Sequence, residues 1–354
     1  MANKITGSTD TSGALTANSN ANKSVIIVAP VSGDVTNTVE EKTVFTITGT
    51  ADASATFGST SIVPQMVRVL VANGATNIRG IIVPKDGDTA LADTLSATLA
   101  DKSVKVVLLT GNDTDTISAV KDHLAVAEAN DMFRYSVFAP SDCTTQSAMT
   151  DFAKSIDDSR IFVAGQTLLQ GGTGVDPAIT ATGLASLIMT ETDDPALPMN
   201  GVTIAGFDGI SRTLLETEMN ALVNGGVTPI YDDGSTAPTV WRLVTSSDIK
   251  GAEKETWQEG TTRFIADHVL ETVENTLRAK YKRTKGVARI LGAIKTDVDI
   301  VLKKLESLEI IENYDDSTLT VIKDPKDRYG ALVGYEFDVV TPLYTITIKQ
   351  HMVL

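Results

Sequence analysis

The sequence has few of the residues from which most catalytic and metal centres are built. It contains one cysteine, Cys143, and three histidines in 354 residues. A single cysteine excludes an intrachain disulfide and any zinc or iron–sulfur site made of cysteines. The histidines at 123, 268 and 351 share no ligand spacing such as H-x-x-x-H. We therefore expect no metal and no cofactor.

Long apolar runs are also missing. No run approaches 18 uninterrupted apolar residues, and the first 23 residues have no apolar core of signal-peptide length. We expect neither membrane insertion nor Sec export. Aromatic residues make up only 5% of the chain against 42% hydrophobic residues, so the core is expected to consist mainly of Ala, Val, Ile and Leu.

Positive charge is scarce in the first two thirds of the chain. Residues 1–249 hold 14 Lys and Arg against 28 Asp and Glu, whereas residues 250–354 hold 16 against 17. An acidic surface repels phosphate backbones, and no nucleic-acid-binding signature is present. The charge pattern predicts that nucleic acid is not a partner.

The usual catalytic motifs are absent. The chain has no P-loop, no G-x-G-x-x-G and no G-x-S-x-G, and the glycine cluster at 170–177 is interpreted as a loop. Cys143 follows a strand end but a lone loop cysteine is usually inert, and His123 and His268 lie on predicted helices as ordinary surface or half-buried residues. Paired aspartates occur in turn-like contexts, where they satisfy backbone groups, at 157–158, 193–194, 232–233 and 315–316.

Strand and helix patterns alternate at short spacing through most of the chain. Residues 1–24 are rich in Ser, Thr and Asn and predict an arm, and residues 25–240 predict an α/β domain with a mainly parallel sheet. The predicted strands are 23–30, 43–48, 78–84, 105–110, 135–140, 160–165 and 201–207. The predicted helices are 62–72, 118–131, 147–158 and 183–191.

The remainder of the chain predicts an inner α+β domain at 241–340 and a C-terminal arm strand at 341–354. One amphipathic helix is expected to end near Gly286, and a capping box of Thr296 and Asp299 is expected to open a second. Strands are predicted at 317–323 and 334–340.

Six cations lie close together in this otherwise acidic protein. A helix C-terminus favours one or two cations, but six also suit a face for an acidic partner, and the sequence leaves both explanations open. The six are Arg278, Lys280, Lys282, Arg283, Lys285 and Arg289.

The last ten residues alternate apolar and polar side chains, which predicts a strand. An unpaired terminal strand exposes amides and carbonyls, so it either pairs with another subunit or forms an edge strand of its own domain. The residues proposed for strand exchange are Thr345, Ile346, Thr347, Ile348, Lys349, Gln350, His351 and Met352.

The order of segments resembles the sheath proteins of contractile phage tails and related injection machines. KSVIIVAPVSGD is similar to the family's first strand and glycine turn, and TVFTITGTADASATFGSTSIVPQMVRVLVANGATNIRGIIVP is similar to the region that follows. NGVTIAGFDGISRTLLETEMNALVNGGVTPIYDD, WRLVTS and LKKLESLEII then follow in the family's order. The resemblance extends from about residue 23 to the end.

The resemblance implies a structural subunit and no enzyme. Copies are expected to form six-fold rings stacked helically around a tail tube, with the tail tube, baseplate and tail terminator proteins as partners. It further implies a virion tail or phage-derived particle assembled in the bacterial host cytoplasm, and strand exchange through 345–352. The inner-domain cations are expected to meet an acidic surface on the tube or on the next sheath subunit; they are Arg278, Lys280, Lys282, Arg283 and Lys285. The alternative is an α/β enzyme that binds a small nucleotide or sugar at strand ends in 105–210.

Overall fold

The structure is a computed structural model that describes residues 23–85, 89–190, 194–232, 234, 237–247, 257–327 and 329–344. The described residues group into two compact units. The first unit comprises residues 23–190 and 198–260, and the second comprises residues 194–197 and 261–344. Residues 1–22 of the arm predicted at 1–24 and residues 345–354 of the arm strand predicted at 341–354 lie outside the described residues. The domain boundary at 240/241 stays a prediction.

A six-stranded sheet forms the centre of the first unit, in the order β2-β3-β1-β4-β5-β6. All its strands are parallel except β2, which is antiparallel to β3. Six of the seven residues of β1 are buried, which is the pattern of a strand covered on both faces. The mainly parallel α/β prediction is confirmed. The strands are β1 Ser24–Pro30, β2 Phe45–Thr46, β3 Ile78–Val83, β4 Val104–Leu109, β5 Tyr135–Phe138 and β6 Ile161–Val163.

Helices connect these strands, and side-chain caps fix where two of them begin. The Asp113 carboxylate accepts from the Thr116 N–H at 2.9 Å, and the Thr145 hydroxyl accepts from the Ala148 N–H at 3.1 Å. Both caps stand just beyond the carboxyl ends of β4 and β5. The helices are α1 Thr50–Phe57, α2 Val63–Ala72, α3 Ala90–Ala97, α4 Thr114–Glu128, α5 Gln146–Ile156, α6 Pro177–Thr190 and α7 Glu216–Asn224.

Small antiparallel sheets complete the first unit. The glycine cluster predicted as a loop forms a hairpin between β7 and β8, where Gly171 and Gly172 have positive φ. The strand predicted at 201–207 is wrong, because Gly201 and Gly206 turn the backbone at φ +80 and +95. These short strands are β7 Leu168–Gln170, β8 Thr173–Gly174, β9 Gly209–Ile210, β10 Ile230–Tyr231 and β11 Thr239–Val240.

Two long helices, α8 Gly260–Lys280 and α9 Ala288–Ser307, form the second unit with two short sheets. The apolar stripes of the helices meet in one core, which contains Val269, Val273, Val301 and Leu302. The sheets pair β12 Ile311–Glu312 with β15 Asp338–Val339, and β13 Thr320–Lys323 with β14 Ala331–Gly334. No helix in the described ranges combines the length and apolarity needed to cross a bilayer.

Three predictions for the second unit are wrong in detail. α8 ends at Lys280 and not near Gly286. The capping box does not form, because α9 already begins at Ala288 and the Thr296 hydroxyl donates to the Gly292 carbonyl inside it at 3.1 Å. The strand predicted at 334–340 is interrupted, because only residues at its two ends are paired.

Candidate functional site

The predicted cation cluster lies where α8 ends and α9 begins. Arg278 and Lys280 occupy the last turn of α8, whereas Lys282, Arg283 and Lys285 lie beyond it in the connector. A helix dipole acts mainly within the terminal turn, so it accounts for the first two cations and not for the other three.

Carboxylates neutralise the two helical cations. Arg278 pairs with Glu274 one turn earlier at 3.2 Å, and Lys280 pairs with Asp297 of α9 at 2.8 Å. The Tyr281 hydroxyl donates to the same Asp297 carboxylate at 2.6 Å. Asp297 thus joins the end of α8 to the third turn of α9.

The contact between Tyr281 and Asp297 shifts the pKa of each group in the expected direction. Burial, followed by the hydrogen bond to Asp297, raises the pKa of Tyr281 to about 12. Burial alone would raise the pKa of Asp297, but the hydrogen bonds from Lys280 and Tyr281 outweigh it and lower that pKa. The carboxylate is therefore ionised at neutral pH and holds the connector at its start.

We name residues 281–291 the tip. Lys282, Arg283, Lys285 and Arg289 are exposed there, and within the described part of the chain no carboxylate pairs with Arg283, Lys285 or Arg289. Val287 is 46% exposed, and Ile290 and Leu291 are only half-buried. From 275 to 296 the sequence has seven Lys and Arg and no Asp or Glu. The tip is an accessible surface that is both basic and apolar.

The hairpin of β13 and β14 presents a second accessible surface in the same unit. Ile322 and Leu332 are cross-strand partners, and each is 52% exposed. On the other face, Val333 packs against the core of the unit. The described residues pair this hairpin with no third strand, so each of its strands keeps one open edge.

Residues 345–352, the predicted exchange strand, lie outside the described residues. The other half of a strand exchange, the sheet that receives a strand, was not predicted from the sequence. The sequence did contain a signal for this receiving sheet. Residues 320–323 and 331–334 carry apolar side chains on both faces of the hairpin, and this pattern is expected only where both faces are covered.

A groove lies at the carboxyl ends of β4 and β5, inside the region named for the enzyme alternative. Its cavity volume is about 420 Å³, and its ten lining residues include no histidine, cysteine, lysine or arginine. Hydrogen bonds from Thr116 lower the pKa of Asp113, and hydrogen bonds from Thr144 lower the pKa of Asp142. Both carboxylates cap local backbone and stay ionised, so they are poor proton donors.

The isolated residues considered for catalysis serve local structure. Cys143 is buried and donates to the Pro140 carbonyl at 3.4 Å, and burial raises the pKa of its thiol. His123 is buried beside Arg134, with its Nε2 atom 3.1 Å from a guanidinium nitrogen. Sequence reasoning missed this buried arginine, because nothing in the pattern around residue 134 marks it.

Three aspartates of the predicted pairs bind the backbone of their own turns. Asp158 accepts from the Arg160 N–H at 2.7 Å, Asp194 from Ala196 at 3.0 Å, and Asp315 from Ser317 at 2.9 Å. These contacts agree with the turn interpretation of the sequence. Among the described residues, no three His, Cys, Asp or Glu side chains are grouped as a metal site requires.

Comparisons with known proteins give the fold and the family of the C-terminal part. Residues 252–352 match the family model described as phage tail sheath C-terminal domain. The anti-feeding prophage helical sheath in its contracted state is 15% identical, with a TM-score of 0.73 and 97% of each chain covered. A sheath tail protein from Listeria innocua is 12% identical, with a TM-score of 0.71 over 90% of this chain and 92% of that one.

A third solved structure agrees. The sheath of an extracellular contractile injection system, PVC, in its contracted state is 13% identical, with a TM-score of 0.67 over 93% of this chain and 91% of that one. A search of curated proteins found none that matches the chain. The resemblance stated from the sequence is confirmed: residues 252–352 match the family model of the phage tail sheath C-terminal domain, and the whole chain has the fold of contractile sheath proteins.

Proposed function

We propose that this protein is the sheath subunit of a contractile tail or injection system. Copies polymerise helically, as stacked six-fold rings around a tail tube, and contraction drives the tube through a target envelope. The observation that carries the proposal is the full-length likeness to a contracted helical sheath, together with the family match at 252–352. Nothing in the comparisons favours the alternative of a nucleotide or sugar enzyme at 105–210.

Strand exchange is the proposed link between copies. The segment 345–352 of one copy adds to an open edge of the β13–β14 hairpin of another, where Ile322 and Leu332 offer an apolar face. Each backbone hydrogen bond contributes about 0.5 to 1.5 kcal/mol net, so four or five in series make a durable yet non-covalent link.

The cations Arg278, Lys280, Lys282, Arg283 and Lys285 are proposed to meet an acidic surface, either on the tail tube or on the next sheath subunit. The structure supports this for Arg283 and Lys285 more than for the helix end, since Arg278 and Lys280 already have carboxylate partners. Exposed charge pairs are screened over about 8 Å at physiological salt, so the contact is expected to weaken as salt rises.

We also propose that the chain catalyses no reaction and stores its energy as packing. The baseplate and tail terminator proteins are the other proposed partners, nucleic acid is not one, and assembly takes place in the bacterial host cytoplasm before the particle is complete. Work on contraction then comes from the difference in packing free energy between two arrangements of the same subunits, as in other bistable assemblies.

Negative-stain electron microscopy of the purified protein tests the proposal. A sheath subunit forms tubes or stacked rings that shorten and widen on exposure to mild acid or denaturant, without nucleotide. Compact small particles at every concentration, or shortening that requires ATP, would contradict it.

A further inference from the structure

The groove in the first unit is lined by apolar residues and by exposed acidic ones. Its apolar lining residues are buried or half-buried, and its two carboxylates, Asp113 and Asp142, are exposed; the apolar residues are Ile117, Pro140, Ala148 and Phe152. Arg212, which donates to the nearby Thr144 carbonyl, is itself paired with Glu218 at 2.6 Å. The groove therefore presents negative charge around an apolar centre.

The tip in the second unit has the opposite charge and the same apolar centre. Val287, Ile290 and Leu291 are the apolar side chains, and the exposed cations Arg283, Lys285 and Arg289 lie in the same stretch around the N-terminal end of α9. α8 ends before this point, so it covers these side chains less than those of the next turns of α9, where Val298 is 1% exposed. An exposed, basic and apolar surface is thus available to contact an acidic groove with an apolar lining.

We infer that the groove of one copy receives the tip of a second copy of this chain. This deepens the proposed function and rests on it, because it chooses the neighbouring sheath subunit over the tail tube as the partner of the cations. Apolar contact supplies affinity, and the charges set the orientation and reject copies that approach in the wrong register.

Charge complementarity within the chain favours a second copy as the partner. Residues 17–193 and 198–260, which span the first unit, hold 15 Lys and Arg against 29 Asp and Glu, whereas the stretch 275–296 is purely basic. Every copy carries both surfaces, so a tip-to-groove contact is heterologous and repeats from copy to copy. Heterologous contacts that do not close into a ring produce helical assemblies.

Disulfide trapping between two singly substituted proteins tests the contact. Ser155→Cys places a thiol at the groove, and Thr284→Cys places one on the tip; both native side chains are exposed. The two variants are mixed before assembly and oxidised. We expect a cross-linked dimer that is at least tenfold more abundant than in a mixture of Thr284→Cys with the control Ser96→Cys, an exposed serine on α3.

Each outcome decides the inference. If the mixture of the two variants forms tubes like those of the wild type but contains no excess of cross-linked dimer, the inference is overturned and the proposed function stands. Neither tubes nor dimer would overturn both. As a second measurement, Ser155→Arg should raise the concentration needed for polymerisation at least tenfold while the circular dichroism spectrum stays that of the wild type. If Lys285→Glu abolishes binding to the tube but leaves sheath polymerisation unchanged, the tip faces the tube and the inference is wrong.

Discussion

A buried histidine beside a buried arginine makes the first unit sensitive to acid. Arg134 is 0% exposed, and its guanidinium donates to the Thr98 hydroxyl at 2.8 Å and to the carbonyls of Thr98 and Asp101 at 3.0 and 2.8 Å. It can only donate, so the His123 Nε2 atom that lies 3.1 Å away must accept. His123 is therefore neutral in the folded protein.

Protonation of His123 would place two cations side by side in the core. Burial, and then the charge of Arg134, lowers the pKa of His123 from 6.5 to about 4. The unfolded chain takes up this proton at a higher pH than the folded chain does. Stability from the neutral histidine is therefore complete above pH 6.5 and is lost as the pH falls towards 4.

The lowered pKa of His123 corresponds to about 3 kcal/mol of folding stability, because each pKa unit corresponds to about 1.4 kcal/mol. We predict that His123→Gln, which can still accept from Arg134 but does not titrate, removes about this much of the stability difference between pH 7.5 and pH 4. Both tryptophans, Trp241 and Trp257, lie in the first unit. Urea unfolding followed by tryptophan fluorescence therefore reports on the unit concerned.

The wild type and the variant are compared by how their unfolding free energy changes with pH and not by its value at one pH, because carboxylates also titrate in this range. Ser96→Gln, at an exposed position of α3 that does not titrate, serves as the control and should keep the wild-type profile. Parallel profiles for the wild type and His123→Gln would refute the reasoning. Arg134→Met should lower stability at both pH values by about 2 to 4 kcal/mol, because it leaves buried carbonyls without donors.

Three further predictions concern the second unit and the assembly. Asp297→Asn should bring the pKa of Tyr281 down from about 12 towards 10, as measured by ultraviolet absorbance titration; an unchanged pKa would mean that burial alone sets it. Deletion of residues 345–354 should leave a folded, soluble protein that no longer forms tubes, and wild-type tubes from it would disprove strand exchange. Reversing the charges of Lys282 and Lys285 should impair assembly at low salt, whereas normal co-assembly with tube and sheath would show that these cations take no part.

The helices and strands with a regular pattern of apolar residues could be predicted from the sequence. β1 and β4 each contain a continuous apolar run, at 25–29 and 106–109, as expected for strands covered on both faces, and both stand where they were predicted. The stripe of Val298, Val301, Leu302 and Leu305 likewise marked the buried face of α9. Burial on one or two faces is a local property of the pattern, so the residues themselves reveal it.

Backbone conformation and charge partners were harder to predict, because they depend on residues far apart in sequence. The run GVTIAGF has the composition of a strand, yet two glycines turn it away from the sheet. Thr296 and Asp299 have the spacing of a capping box, but the helix that contains them begins two turns earlier, so the Thr296 hydroxyl bonds within the helix. Spacing alone does not distinguish a helix start from a helix interior.

The cation cluster shows why the position of a helix end matters for function. The sequence left open whether six cations stabilise a helix end or bind a partner, because a continuous helix to Gly286 would have given them one common role. α8 ends at Lys280, so the cluster has two parts: Arg278 and Lys280 have carboxylate partners, whereas Arg283 and Lys285 are exposed in the connector, next to an incompletely covered apolar stretch. The position where the helix ends therefore decides which charges hold the subunit together and which are available to a neighbouring protein.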